Sequence, residues 1–254
     1  MTKAIEQFDT APLEKDFFQY AENIFIQSEE HLDLPICKYT SLANLLFLFD
    51  GKFKVNNRRS FSGDKTEMGV YKRKWLKYPY FAPPGQKITD EQLTELQYHS
   101  KQEFLAQYLF VSSWTYDLTE SYLMWKAYTS GGNGVRIETT LRKLLEVLKS
   151  NIEDCKIFCS KSSYEKLRPK TSQFDKVFLK QEEYKSEQEY RITIVPNNLS
   201  TARHQSQYCI DFSDGFIDKI VLSPFMSTSD VKDLKRMLES IDQYAKVKES
   251  NITA

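Results

Sequence analysis

Lys185-Ser186-Glu187-Gln188-Glu189-Tyr190-Arg191-Ile192-Thr193-Ile194-Val195 changes character partway along its length. Its first residues read as the end of a helical segment. Residues 189–195 read as a strand, rich in the β-branched side chains that fit a pleated surface. Two glutamates stand two apart at the changeover. If Glu187 and Glu189 both lie in extended backbone, both project from one face. A carboxylate pair there can orient a hydroxyl, stabilise a developing cation or act as a general base. The plainer reading is a solvent-facing charged turn with Arg191 as the partner of the acids.

Outward from this stretch, strands and helices are mixed without a βαβ rhythm, which predicts an α+β fold rather than a doubly wound sheet. Phe17, Tyr20, Ala21, Ile24 and Phe25 fall at helical spacing and predict a helix over about 13–28. A short strand is expected at 36–39. Thr40 or Ser41 can then cap a helix from Leu42, although Leu45 to Phe49 ahead of Asp50-Gly51 reads equally well as a strand. Thr89 with Gln92 forms a capping box for a helix to about Gln107. Strands are predicted at 109–114, 135–138, 208–212 and 217–222. Helices are predicted at 119–128, from Thr140 through Leu148, and from Ser227 or Ser229 through Ile241. Gly131-Gly132-Asn133-Gly134 reads as the connector that stops one helix and starts a strand. The expected organisation is an acidic helical segment at 1–34, one α+β domain at 35–246 and a polar tail at 247–254.

The 254 residues carry 35 basic and 35 acidic side chains, but the balance is a cancellation. Residues 1–35 hold eight acids against Lys3 and Lys15, and residues 52–78 hold nine bases against Asp64 and Glu67. Within the basic stretch, Tyr71-Lys72-Arg73-Lys74-Trp75-Leu76-Lys77-Tyr78 interleaves cations with aromatic rings. That pattern suits a nucleic acid, with bases on the rings and phosphates on the cations. Lys72, Arg73, Lys74, Trp75 and Lys77 are the candidate contacts; a solvated loop, or a partner for the acidic N-terminus, is the alternative. No apolar run approaches the length of a membrane span, and Met1 to Asp16 lacks a signal-peptide layout. The four cysteines form no C-x-x-C pair and only three histidines are present, so a reduced, cytoplasmic setting without a metal site is expected. No G-x-S-x-G elbow, P-loop or dinucleotide fingerprint occurs. The search for chemistry therefore narrows to a carboxylate.

Three segments about 75 residues apart complement the glutamates: Lys38-Tyr39, Ser112-Ser113-Trp114 and Glu187-x-Glu189. Together with Met124-Trp125-x-x-Tyr128, Gly134-Val135-x-Ile137 and Glu189-Tyr190-Arg191-Ile192, they resemble a widespread bacterial domain-of-unknown-function family (number 2971) over about residues 35–240. The family's Asn-Asp-Pro loop is replaced here by Phe61-Ser62-Gly63-Asp64-Lys65-Thr66-Glu67.

The order of these motifs is also similar, more distantly, to the ADP-ribosyltransferase superfamily. That resemblance implies a mixed, mainly antiparallel, split sheet flanked by helices, with NAD as substrate. It implies Lys38 on the NAD phosphates or ribose, Ser113 supporting the nicotinamide ribose, and Tyr39 or Trp114 stacking near nicotinamide. Glu189 would hydrogen-bond a ribose hydroxyl and favour an oxocarbenium-like transition state, with Glu187 engaging the acceptor. The expected function is a toxin or phage-defence effector that transfers ADP-ribose to a nucleic acid or protein, with an antitoxin or regulatory protein as possible partner. The competing expectations are a non-enzymatic nucleic-acid-binding or regulatory module, and a magnesium-dependent nuclease using Glu187 and Glu189.

Overall fold

The computed structural model describes residues 10, 14–57, 109–129, 131–149, 152, 154–164, 177–197, 205–212 and 215–252. The basic aromatic run at 71–81, the loop at 61–67 and the helix expected at about 89–107 lie outside these residues.

Where a helix over 13–28 was expected, Phe18–Ala21 (β1) and Ile24–Ile26 (β2) pair as an antiparallel hairpin. The reason is a distant partner. Ile24, Phe25 and Ile26 are all buried, which a half-exposed helix could not achieve, and β2 lies parallel to the strand Cys155–Lys161. The same apolar spacing serves the hairpin, because Phe17 and Phe25 both pack on Phe158. Residues 18–26 thus belong to the main sheet rather than to a helical appendage.

Pro35–Ser41 (β3) leads into Leu42–Phe49 (α1), whose first turn is capped by Ser41 Oγ accepting from the Asn44 N–H. The segment left open between helix and strand is therefore helical, and it buries Leu45. Lys52–Asn57 (β4) and Phe110–Thr115 (β5) follow. Tyr122–Tyr128 (α2) is capped by Ser121, and the expected glycine connector carries the chain into Gly134–Thr140 (β6). Leu141–Lys149 (α3) begins with the Lys143 N–H on Thr140 Oγ1 and buries Leu141, Leu144, Leu145 and Leu148. Cys155–Lys161 (β7) is followed by a 3-10 turn at Glu182–Glu187, then Glu189–Pro196 (β8), Gln207–Asp211 (β9) and Lys219–Leu222 (β10). Thr228–Ser240 (α4) is capped by Ser227. The expected polar tail is instead tied down: Val247–Glu249 (β11) pairs with β10, while the Ser250 hydroxyl and the Asn251 N–H donate to Glu120.

The described strands form one mostly antiparallel sheet in the order β1-β2-β7-β8-β5-β3-β6-β10-β11, with parallel pairs at β2–β7 and β10–β11; β4 pairs with β5 and β9. The fold is mixed α and β, as expected. One edge of β5 is covered by β8 along its length. The other edge is shared: β3 meets it at the single pair Cys37–Thr115, and β4 meets it at Val111 and Phe110. Between them, Ser112, Ser113 and Trp114 face a gap, and α1 links its two sides. No helix among the described residues is long and apolar enough to cross a membrane.

Candidate functional site

The gap in the sheet opens into a cleft of about 460 Å³, lined by residues of β3, α1, β4, β5 and α2, the Glu182–Glu187 turn, and Lys180, Glu189 and Gln207. That volume is within the range of small-molecule and cofactor sites.

Its floor is built where β3 and β5 part. Lys38 spans the gap, donating to the Ser113 carbonyl at 2.8 Å and to Ser112 Oγ at 3.2 Å, with its ammonium 5.6 Å from the Trp114 ring. Ser112 Oγ also accepts from Trp114 Nε1 at 3.1 Å, which fixes the indole. The Lys38 ammonium forms no ion pair within 4 Å among the described residues. Burial is the main influence on it and pulls its pKa down to about 8, with Glu189 pulling the other way.

The acidic end rests on one unusual backbone position. Gln188 is left-handed (φ 42°), so Glu187 ends the 3-10 turn while Glu189 begins β8. The two acids do not share one extended strand, yet both reach Lys180, at 2.5 Å from Glu187 and 2.9 Å from Glu189. Strand alternation puts Arg191 on the same face as Glu189, and its Nε and Nη2 donate at 2.9 and 3.1 Å. The Ser113 hydroxyl supplies a further hydrogen bond. Burial, the largest influence on Glu189, opposes ionisation. Arg191, Lys180 and the hydrogen bonds from Arg191 and Ser113 overcome it and hold the carboxyl at about 2. Lys180 shifts the opposite way: burial disfavours its charge, and the two glutamates more than compensate. Tyr128 on α2 donates to Glu187 at 3.0 Å, and Tyr184 lies under the Lys180 ammonium at 4.9 Å. Of the sequence alternatives, Arg191 is indeed Glu189's partner and the turn before it is exposed at Lys185 and Ser186, but Glu189 itself is only 2% exposed.

The opposite wall is basic and polar. Along β4, Phe53, Val55 and Asn57 are buried while Lys52, Lys54 and Asn56 face the cleft, as the two-residue period requires. The Lys54 ammonium sits 2.9 Å from the Phe47 ring centroid. Asn56 accepts from Gln207 Nε2 at 3.1 Å.

Lys38, Ser113, Glu187 and Glu189 thus meet in one cleft. Tyr39 and Trp114 border it, but their rings serve the core. Tyr39 packs edge-on to Trp125 and its hydroxyl accepts from the Ser121 N–H; Trp114 is 3% exposed and packs toward Phe216. Both rings line the cleft but are almost wholly buried. Lys72, Arg73, Lys74, Trp75 and Lys77 lie outside the described residues. Sequence reasoning missed Lys180, Tyr128, Lys54, Asn56 and Gln207. Tyr128 carried a signal as the second aromatic of Trp125-x-x-Tyr128, and Lys54 as one of the nine bases of residues 52–78. Among the described residues no group of three or more His, Cys, Asp or Glu side chains is placed to hold a metal ion. Compared with protein families, with curated proteins and with solved structures, the chain gives no match.

Proposed function

We propose that the cleft binds NAD and that the protein transfers its ADP-ribose group to a nucleophile on a nucleic acid or protein. The observation that carries this reading is the convergence of Lys38, Ser113 and Glu189, drawn from three distant segments, on one cleft. Lys38, Lys52, Lys54 and Lys180 outnumber Glu187 and Glu189 there, which favours a ligand bearing phosphates. Lys38 and Lys54, neither of which meets a carboxylate among the described residues, are the cations with most to gain from a phosphate.

In the proposed reaction the bond between ribose C1′ and the nicotinamide nitrogen breaks, and nicotinamide leaves with the electron pair. The ribose acquires oxocarbenium character, which the Glu189 carboxylate stabilises; the acceptor nucleophile then bonds to C1′ and Glu187 takes its proton. Arg191 and Lys180 keep Glu189 ionised at any physiological pH. They also occupy it: with the Ser113 hydroxyl they supply four donors to its two oxygens, the full capacity of a carboxylate. A ribose hydroxyl therefore reaches Glu189 by displacing Ser113 or Lys180.

That saturation is the specific observation behind a second reading, a regulatory module that binds a phosphorylated nucleotide without consuming it. The nuclease reading has less support, because the Lys180 ammonium fills the place between Glu187 and Glu189 that a divalent ion would need. Nicotinamide release from NAD, followed by chromatography in the presence of cell extract as acceptor, separates the first two. The transferase reading expects release, reduced at least a hundred-fold in Glu189→Gln. Binding of NAD without release, in the native protein, contradicts it and supports the regulatory module.

A further inference from the structure

The wall of the cleft farthest from Glu189 carries a feature that phosphate or ribose binding does not use. Asn56 and Gln207 are cross-strand partners on β4 and β9, and their side-chain amides are joined by one hydrogen bond, Gln207 Nε2 to Asn56 Oδ1. That bond consumes one donor and one acceptor. What remains facing outward is the Asn56 amide nitrogen, a donor, beside the Gln207 carbonyl oxygen, an acceptor. Exchanging nitrogen and oxygen in both amides leaves the same complement, one donor beside one acceptor. Both side chains border the cleft and are exposed, so the pair is open to a ligand.

An adjacent donor and acceptor match the N6–N7 edge of adenine, which offers an amino donor beside a ring acceptor. The corresponding edge of guanine or hypoxanthine offers two acceptors, so one amide oxygen would face a lone pair. The position is also consistent with a dinucleotide. Asn56 is opposite Val111 and Glu189 is opposite Thr115, four residues apart on β5, and the two lie on strands either side of β5. At strand spacings this separates their backbones by about 16 Å, a span that an extended dinucleotide covers between its base and its distal ribose. Lys54, two residues before Asn56 on the same face, and the Phe47 ring beside it border the same wall.

We propose that Asn56 and Gln207 form an adenine-reading subsite, which fixes the substrate class as an adenine dinucleotide bound with its base on β4 and β9 and its reactive ribose at Glu189. The orientation rests on the NAD reading above; the base preference does not.

The test is calorimetric titration of NAD, of its analogue carrying hypoxanthine in place of adenine, and of AMP and IMP, into the native protein, Gln207→Ala and Gln207→Leu. Gln207→Leu keeps the approximate side-chain size but removes the outward acceptor that meets the adenine amino group, the one position at which the two bases differ. Both substitutions are at an exposed position, so the fold is expected to persist, and circular dichroism checks it. The native protein is expected to bind NAD roughly ten-fold or more tightly than the hypoxanthine analogue, as for loss of a bidentate base contact. Both variants are expected to lose that preference while the weaker binding of the analogue changes little. NAD binding with no preference, or with a preference that both variants retain, overturns the subsite and leaves the NAD reading standing. A preference for AMP over IMP without NAD binding supports the subsite and overturns the NAD reading. Absence of binding by all four ligands overturns both.

Discussion

Glu189 is buried and Lys38 half-buried, their charges are managed in opposite ways, and pH separates them. Glu189 titrates near 2 in the folded chain against 4.5 unfolded, so the stability it contributes is fully present above pH 4.5 and is lost as the pH falls toward 2. Lys38 titrates near 8 against 10.5, so the cost of burying its ammonium is fully present below pH 8 and is relieved as the pH rises to 10.5. Each window is worth at most about 3 kcal/mol. Urea denaturation at a series of pH values is expected to show a shallower acid limb in Glu189→Gln and, in Lys38→Met, a steeper alkaline fall because the stability gained between pH 8 and 10.5 is missing. Variant curves parallel to the native curve in both limbs contradict these assignments. Glu189→Gln also leaves Arg191 and Lys180 facing a neutral group, and about 3 kcal/mol of destabilisation is expected at pH 7, as for breaking a buried ion pair. The two glutamates and the lysine stood out in the sequence because E-x-E and K-Y are short local patterns. Lys180 did not. It follows Val177-Phe178-Leu179 with nothing to mark it, and it becomes a ligand of both acids only through the fold.

At the scale of elements, serine and threonine caps made α3 and α4 readable, because the cap and the helix it starts are neighbours in sequence; the α1 segment, though capped, read equally well as a strand, and α2 was read without its Ser121 cap. The hairpin β1–β2 was not readable. Its apolar spacing fits a helix as well as a sheet, and the choice was made by β7, more than 120 residues away. The Asn56–Gln207 pair is hidden for the same reason, since it depends on the register of two strands 151 residues apart. The cleft's own geometry depends on one tight contact between elements. A Cβ at Gly134 would come within 2.3 Å of the Thr40 carbonyl and 2.6 Å of the Thr129 Cβ, forcing β6 away from β3 and from the end of α2. Gly134→Ala is expected to destabilise the fold by about 3 kcal/mol, the upper part of the range for overpacking, and to weaken ligand binding because β3 and α2 carry Lys38 and Tyr128. At Gly131 a Cβ meets nothing within 4 Å but the backbone has φ +79°, so Gly131→Ala is expected to cost only about 1 kcal/mol and to spare binding. Equal effects in thermal melts of the two variants contradict this account.

At the scale of the molecule, the sheet is continuous from β1 to β11 yet weakest at its middle, where β3 and β5 share one pair. The two halves of the sheet part there, and the charged groups of the cleft gather at the parting. The zero net charge conceals this, because the cleft gathers four cations, Lys38, Lys52, Lys54 and Lys180, against the two acids Glu187 and Glu189. The most direct test is therefore of occupancy: isothermal titration of a non-cleavable carbocyclic NAD analogue into the native protein and into Lys38→Met. One site per chain is expected, with affinity at least ten-fold weaker in Lys38→Met and falling with added salt. No binding at millimolar analogue, or equal affinity in the two proteins, contradicts the claim that this cleft is the NAD site.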